Sequence, residues 1–305
     1  MSLPQLHGVV PILVTPFDET GRIDAESLAN LVEFNLSAGV HGLGVALGSE
    51  IFKFDEAERA QVTACVVGAN RGRVPIIINT GAAGTDLAIS YSRAAEAAGA
   101  DALMIIPPSF MPASADEILD YYIASDRAVG LPIILQDVPQ APVPPGLAVR
   151  IADACRNVRY IKVETLPVTS KVSAMAELAG ARLTIFGGAG GSYFIEELRR
   201  GALGTMPFCS QPADFVAVWN AFRAGDERLA QQRFDSTIMA INRLAAQGGD
   251  IFYALHKQLL VRREVIRTAF VRSPTTMIDP VTAREIADLL AQAVPVARRF
   301  RSFAA

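Results

Sequence analysis

Lys162 and Glu164, two residues apart, close the apolar run Val158-Arg159-Tyr160-Ile161-Lys162-Val163-Glu164-Thr165. Side chains alternate between the faces of an extended strand, so Tyr160, Lys162 and Glu164 share one face. Burial strips water from an ammonium and favours the neutral amine, a nucleophile that condenses with a carbonyl to a Schiff base. Glu164 beside it is then either a proton-transfer group or an ion-pair partner. The alternative for Lys162 is a strand-end lysine whose charged head reaches water past its apolar stem. Of the four lysines, Lys53, Lys162, Lys171 and Lys257, only Lys162 is flanked by apolar strand residues. The other three read as loop or helix positions in polar surroundings.

The elements that position this pair follow from the hydrophobic pattern. Short apolar, β-branched runs near 8–14, 41–46, 74–79, 101–106, 132–136, 158–163, 183–186 and 203–207 read as strands. Helical patterns near 24–38, 55–70, 85–99, 114–129, 145–156, 167–179, 190–200 and 212–224 follow them in turn. Eight βα units predict an α/β fold of the TIM (β/α)8 barrel type. A weak repeat supports it: Ser37-Ala38-Gly39-Val40, Ala97-Ala98-Gly99-Ala100 and Arg199-Arg200-Gly201-Ala202 each close a helix with a glycine cap before a strand. Past residue 225 the strands stop, and 226–247, 250–270 and 281–298 read as helices broken at Ser273-Pro274 and Asp279-Pro280. The expected division is a catalytic barrel over 1–225 and a C-terminal helical extension over 226–305. A doubly wound sheet is the rival, weakened because no Gly-x-Gly-x-x-Gly follows the first strand.

Barrel active sites lie at the C-terminal ends of the strands. Lys162 falls there. His7 and His41 fall at the opposite end and His256 in the extension, so none of the three reads as catalytic. Two turns qualify as binding segments. In Gly44-Val45-Ala46-Leu47-Gly48-Ser49-Glu50, backbone N–H groups of Leu47 and Gly48 and the Ser49 hydroxyl could hold a carboxylate, although glycines in such turns often serve geometry alone. In Phe186-Gly187-Gly188-Ala189-Gly190-Gly191, the run of glycines implies close approach of ligand or backbone, placing Gly188 and Ala189 in the site. A phosphate loop is the rival there, but its Lys-Ser/Thr ending is absent.

Composition bounds the partners. With 51% hydrophobic residues, 19% charged and a net charge of −3 over 305 residues, the chain buries a large core. It shows no basic run for nucleic acid or an anionic membrane surface. Cys65, Cys155 and Cys209 are odd in number and lack metal-ligand spacing, which suits reduced, buried thiols and a cytoplasmic protein. No apolar run approaches a membrane span, and the first residues lack a leader pattern, so a soluble protein is expected.

These residues also carry a resemblance over nearly the whole chain. Gly8-Val9-Val10-Pro11-Ile12-Leu13-Val14-Thr15-Pro16-Phe17, the Glu50 loop with Phe54-Asp55-Glu56-Ala57-Glu58-Arg59, the Asp137-Val138-Pro139 turn and Tyr160-Ile161-Lys162 resemble the dihydrodipicolinate synthase and N-acetylneuraminate lyase family. The resemblance implies a Schiff base between Lys162 and a small 2-oxo acid, no metal or organic cofactor, and a homotetramer built as a dimer of dimers. Departures from the family pattern matter as much. Its Gly-Thr-Thr-Gly-Glu loop stands here as Ala46-Leu47-Gly48-Ser49-Glu50, and its Tyr-Asn-x-Pro turn as Gln136-Asp137-Val138-Pro139. The synthase's partner-subunit tyrosine is replaced within Pro107-Pro108-Ser109-Phe110, and its substrate-binding arginine falls on Ala141.

A synthase lacking that arginine and both tyrosines is disfavoured. The Gln-Asp-x-Pro turn, the Lys-x-Glu strand end and Gly204-Thr205-Met206 look more like the 2-keto-3-deoxy sugar-acid dehydratase branch, particularly 2-keto-3-deoxyarabonate dehydratase. The expected enzyme is a lyase in which Lys162 forms the imine, Glu164 transfers protons and Gln136 orients substrate or water. Leu47, Gly48 and Ser49 would hold the carboxylate, and Gly188 and Ala189 would line the distal side. The alternatives are an aldolase for a 2-keto-3-deoxy or sialic-acid-like substrate and, from another class, a barrel that binds a metabolite without catalysis.

Overall fold

Eight parallel strands make the centre of the protein, and a computed structural model describes it over residues 6–293. The strands are β1 (Gly8–Val9), β2 (Leu43–Val45), β3 (Ile76–Asn79), β4 (Ala102–Ile105), β5 (Ile133–Asp137), β6 (Val158–Val163), β7 (Thr184–Gly187) and β8 (Gly204–Thr205). Each pairs with the next in sequence from β2 to β8, and β8 pairs with β1. The ring closes where the Gly44 N–H donates to Pro11 O at 2.9 Å and the Leu13 N–H to Gly44 O at 2.8 Å. This is the TIM barrel that the alternation predicts.

The strands read as unbroken apolar runs because both of their faces are covered. Val10, Ile12, Ile77, Met104, Ile134 and Phe186 fill the barrel interior. The opposite faces, with Leu43, Ile76, Leu103, Ile133 and Ile161, pack under the helices. Close approach at the seam demands a glycine: a Cβ on Gly204 would fall 2.1 Å from Gly8 O.

The surrounding helices are α1 (Ala25–Ser37), α2 (Glu56–Asn70), α3 (Thr85–Ala97), α4 (Ala115–Ala128), α5 (Pro145–Ala154), α6 (Val168–Ala179), α7 (Phe194–Leu198) and α8 (Pro212–Arg223). Their starts are set by side-chain caps: Asp24 accepts from Ser27 N, and Asp55 with Glu58 and Ser114 with Glu117 form capping boxes. Only α7 is much shorter than the expected 190–200. Ala189–Gly191 forms a separate 3-10 turn, in which Gly190 and Gly191 adopt φ of 66° and 78°, outside helical space.

The extension holds α9 (Glu227–Arg233), α10 (Met239–Ala245), α11 (Ile251–Arg262) and α12 (Pro280–Ala293). The single helix expected over 226–247 is interrupted by a π-helical turn at Phe234–Ile238. That expected over 250–270 stops at Arg262, before Glu264 turns to a φ of 60°. The part of the 281–298 helix beyond Ala293 lies outside the described residues.

One buried charge cluster ties the extension to the barrel and corrects the reading of Lys257 and Lys53 as polar-context lysines. Lys257 is fully buried, and its Nζ donates to Glu50 Oε1 at 2.6 Å and to Phe270 O at 2.7 Å. Burial pushes its ionisation down to about 8, with the Glu50 charge opposing. The other Glu50 oxygen accepts from Lys53 Nζ and from Arg272 N, each at 3.1 Å. Removing one member of such a buried pair strands the other. Lys257→Met is therefore expected to destabilise the protein by about 3–5 kcal/mol, measured as the shift in denaturant midpoint; an unchanged midpoint would show the pair to be dispensable.

Candidate active site

The register of the barrel assembles the site. Gln136 at the end of β5 lies opposite Lys162 of β6, and Val163 lies opposite Gly187 of β7. Lys162 is 4% exposed, and its Nζ lies 2.7 Å from Glu164 Oε1. The structure thus places the two residues, chosen for their shared strand face, in a direct ion pair.

Glu164 is held from three sides. Gln136 Nε2 donates to its Oε2 at 3.2 Å, and the Ala189 N–H donates to its Oε1 at 3.3 Å. Gln136 is itself oriented by Asn79 Nδ2, which donates to Gln136 Oε1 at 2.7 Å. Beneath the carboxylate, Gly188 leaves the space its stem needs, since a Cβ there would meet Glu164 Cγ at 2.2 Å.

Asp137, which stands where the family has asparagine, is spent on structure. Its Oδ1 accepts from Val143 N at 2.8 Å, Thr165 Oγ1 at 2.6 Å and Lys171 Nζ at 2.6 Å, and its Oδ2 from Thr165 N at 3.1 Å. A fully buried carboxylate needs such a cation, and Lys171 supplies it from α6. These bonds fix the turn that carries Gln136.

A cavity of about 340 Å³ opens over the pair. Lys162, Glu164, Gln136, Leu47, Gly48 and Ala189 line its inner end, and Val138, Pro139, Phe208, Ala245, Ala246 and Phe252 make an apolar outer wall. Leu47 and Gly48 open a short 3-10 turn (Leu47–Ser49), whose first amides have no partner within the turn and suit an anion. Among the described residues of the lining, Lys162 is the one cation.

Two expected binding residues do not face this cavity. The Ser49 hydroxyl donates to Leu13 O and accepts from Ala46 N at 3.0 Å, while the Ser49 carbonyl accepts from Thr15 Oγ1 at 2.8 Å. Its oxygen pairs with backbone on both sides, so Ser49 shapes the turn rather than offering a hydroxyl to a ligand. Gly188 acts from below, as the cradle for Glu164.

Three lining or supporting residues were not visible as such in the sequence. Tyr253 of α11 donates to Leu47 O at 2.5 Å, and burial drives its phenol far above the ordinary range. Asn242 of α10 donates to Gly190 O at 3.0 Å and to Ser192 Oγ at 3.1 Å. Asn79 ends the run Ile76-Ile77-Ile78 with a polar residue at the catalytic end of a strand, the same signal that marks Lys162.

The histidines stay away from the chemistry. His41 Nδ1 accepts from Val9 N at 3.1 Å, and buried His256 bonds Ser210 Oγ at 2.7 Å with its ionisation pushed down to about 3 by burial. Among the described residues no three His, Cys, Asp or Glu gather as metal ligands, and no helix is long and apolar enough to cross a membrane.

In comparison with known proteins, the Dihydrodipicolinate synthetase family model covers residues 5–293. The chain belongs to this family. Members of the family are Schiff-base lyases, and the chain is an enzyme of that kind. L-2-keto-3-deoxyarabonate dehydratase of Azospirillum brasilense is 28% identical over 308 residues, spanning 98% of each chain. A 4-hydroxy-tetrahydrodipicolinate synthase of Sorangium cellulosum is 37% identical over 234 residues, 74% of this chain and 77% of that one. In structure, the dihydrodipicolinate synthase of Rhodopseudomonas palustris superposes with a TM-score of 0.85 at 26% identity, covering 94% of this chain and 97% of that one.

The glycine cradle gives a direct test. Gly188→Ala pushes Glu164 away from Lys162, so turnover of a 2-oxo acid substrate is expected to fall about 10²–10⁴-fold, the usual worth of one proton-transfer group. Borohydride trapping of pyruvate on the lysine should persist. Full turnover by the variant would remove Glu164 from the chemistry.

Proposed function

We propose that the protein is a dehydratase for a 2-keto-3-deoxy sugar acid. The observation that supports this reading is a carboxylate, Glu164, 2.7 Å from the Schiff-base lysine and aimed by Gln136. The lining's one tyrosine, Tyr253, has its hydroxyl bound to Leu47 O. The Lys162 amine attacks C2 of the substrate, and loss of water gives an iminium. Glu164 removes the acidified C3 proton to leave an enamine. The enamine expels the C4 hydroxyl, which takes the proton from Glu164 and departs as water. Hydrolysis of the unsaturated imine frees the lysine and yields, after tautomerisation, a 2-oxo acid with a second carbonyl at C5, a semialdehyde when the substrate has five carbons.

The first amides of the Leu47–Ser49 turn would hold the substrate carboxylate. A synthase is disfavoured because Ala141, 6% exposed, stands at the position of the arginine that would bind the aldehyde's carboxylate. An aldolase shares the enamine, and the apolar outer wall of the cavity, with Phe208 and Phe252, favours it for an uncharged aldehyde fragment. The homotetramer is retained as part of this reading, supported by Phe110 and Met111, 84% and 68% exposed after β4. A cytoplasmic enzyme suits its three free thiols.

The test is incubation with 2-keto-3-deoxy acids of different chain length and configuration, with product analysis and borohydride reduction followed by peptide mapping. The expected product is the dehydrated 2-oxo acid with a carbonyl at C5, without pyruvate, with the adduct on Lys162. Pyruvate release would establish the aldolase instead, and no adduct with any 2-oxo acid would sink both.

A further inference from the structure

Behind the wall of this site lies a second carboxyl that the elimination does not use. Glu197 of α7 is fully buried, and no hydrogen bond of good geometry reaches either carboxyl oxygen, although the Gly188 amide lies near. A Cβ on Gly187 would fall 1.6 Å from Glu197 Oε2, so the carboxyl occupies the volume of the missing side chain. The space beside the next residue, Gly188, is filled by Glu164. Successive residues of an extended strand face opposite sides. The two carboxyl groups therefore stand back to back across the end of β7, one on the cavity side and one on the helix side. Thr205, opposite Gly187 in register, adds a buried hydroxyl that also lacks a partner.

The charged groups around Glu197 do not neutralise it. Glu196 on its own helix and Glu164 at the end of β6 are both acidic, and Lys162 is already paired to Glu164. An anion buried without a cation or donors is disfavoured relative to the neutral acid. Burial, reinforced by Glu196 and Glu164, pushes the ionisation of Glu197 up to about 8, against the smaller pull of the Gly188 amide and Lys162.

We propose that Glu197 is a positioning residue for the Schiff-base reaction: an uncharged carboxyl behind Gly187 and Gly188 that leaves Glu164 the one negative charge beside Lys162. In this way it sets how readily the lysine releases its proton to become the attacking amine. The inference rests on the reading of Lys162 as the Schiff-base lysine. Glu197 touches no substrate; it acts through the field it does or does not exert. Once ionised, it adds a second negative charge near the ammonium, stabilises that form and slows attack on the carbonyl. Glu197→Gln keeps the shape and the neutrality and removes the ionisation.

The experiment measures the rate of borohydride trapping of pyruvate on the full-length protein across pH, as the ratio of E197Q to wild type. Near pH 6 the two should agree within about twofold. Near pH 9 the variant should trap about three- to tenfold faster, because the ammonium no longer faces a second negative charge. A ratio that does not change with pH overturns the proposal, because a purely packing role would scale the rate equally throughout. Infrared difference spectra of the wild type add a readout that needs no variant to fold. A protonated carboxyl band present at pH 7 should disappear as the pH passes about 8, and its absence at pH 7 likewise overturns the proposal. If wild type gives no pyruvate adduct, the Schiff-base reading fails and takes this inference with it; if wild type is trapped but the ratio is flat, only the inference fails.

Discussion

Keeping an ammonium at 4% exposure is the constraint around which the catalytic end of the barrel is built. Taking such a charge out of water costs several kcal/mol unless a partner and further hydrogen bonds compensate. The partner comes from the same chain segment, two residues on, just past the end of β6. That choice dictates the surroundings: β7 must end in glycines so that Glu164 fits, and Gln136 must stand opposite Lys162 to hold the second carboxylate oxygen. Asn79 in turn must orient Gln136. Substitution at any of these positions is felt at Lys162 through the next one.

A second buried pair sets the other side of the cavity. Glu50 follows directly on the Leu47–Ser49 turn, and it is clamped by Lys257 from α11 and by Lys53. Tyr253, one turn earlier on α11, bonds the Leu47 carbonyl. The extension thus fixes the turn whose Leu47 and Gly48 line the cavity, besides contributing Phe252, Ala245 and Ala246 to the wall. Its separation from the barrel by sequence pattern conceals how much of the site depends on it.

Legibility in the sequence followed the hydrophobic period. All eight strands and most of their helices were readable, because a strand covered on both faces must be a short apolar run and its helix must carry a stripe. Lys162 and Glu164 stood out for the converse reason, as polar groups at the end of such a run, whereas Gln136 was marked only by the resemblance to the family's Tyr-Asn-x-Pro turn. Pairing that depends on distant segments was hidden. Leu255-His256-Lys257-Gln258 looks like an exposed helix, yet Lys257 is buried as α11 lies between the barrel and α12, where Leu255 and Leu259 meet Ile286 and Leu290. Ser49 misled because residue type does not reveal whether a hydroxyl faces a ligand or the backbone. Glu196 and Glu197 fall within the helical pattern over 190–200, and only the missing side chain of Gly187 shows where the Glu197 carboxyl goes.

With Gln136 standing where the family pattern has tyrosine, the carboxylate beside the lysine decides what the site can do with a proton. On the proposed reading, Glu164 both takes the C3 proton and returns it to the departing hydroxyl, so both transfers occur on one face of the substrate and no relay to solvent is required. For both roles Glu164 is held in place by Lys162 Nζ, Gln136 Nε2 and the Ala189 amide. When the lysine is consumed as a neutral enamine its positive charge vanishes, and Glu164 loses its ion-pair partner at the moment when C3–H has been broken. The proton is then held where the leaving hydroxyl needs it.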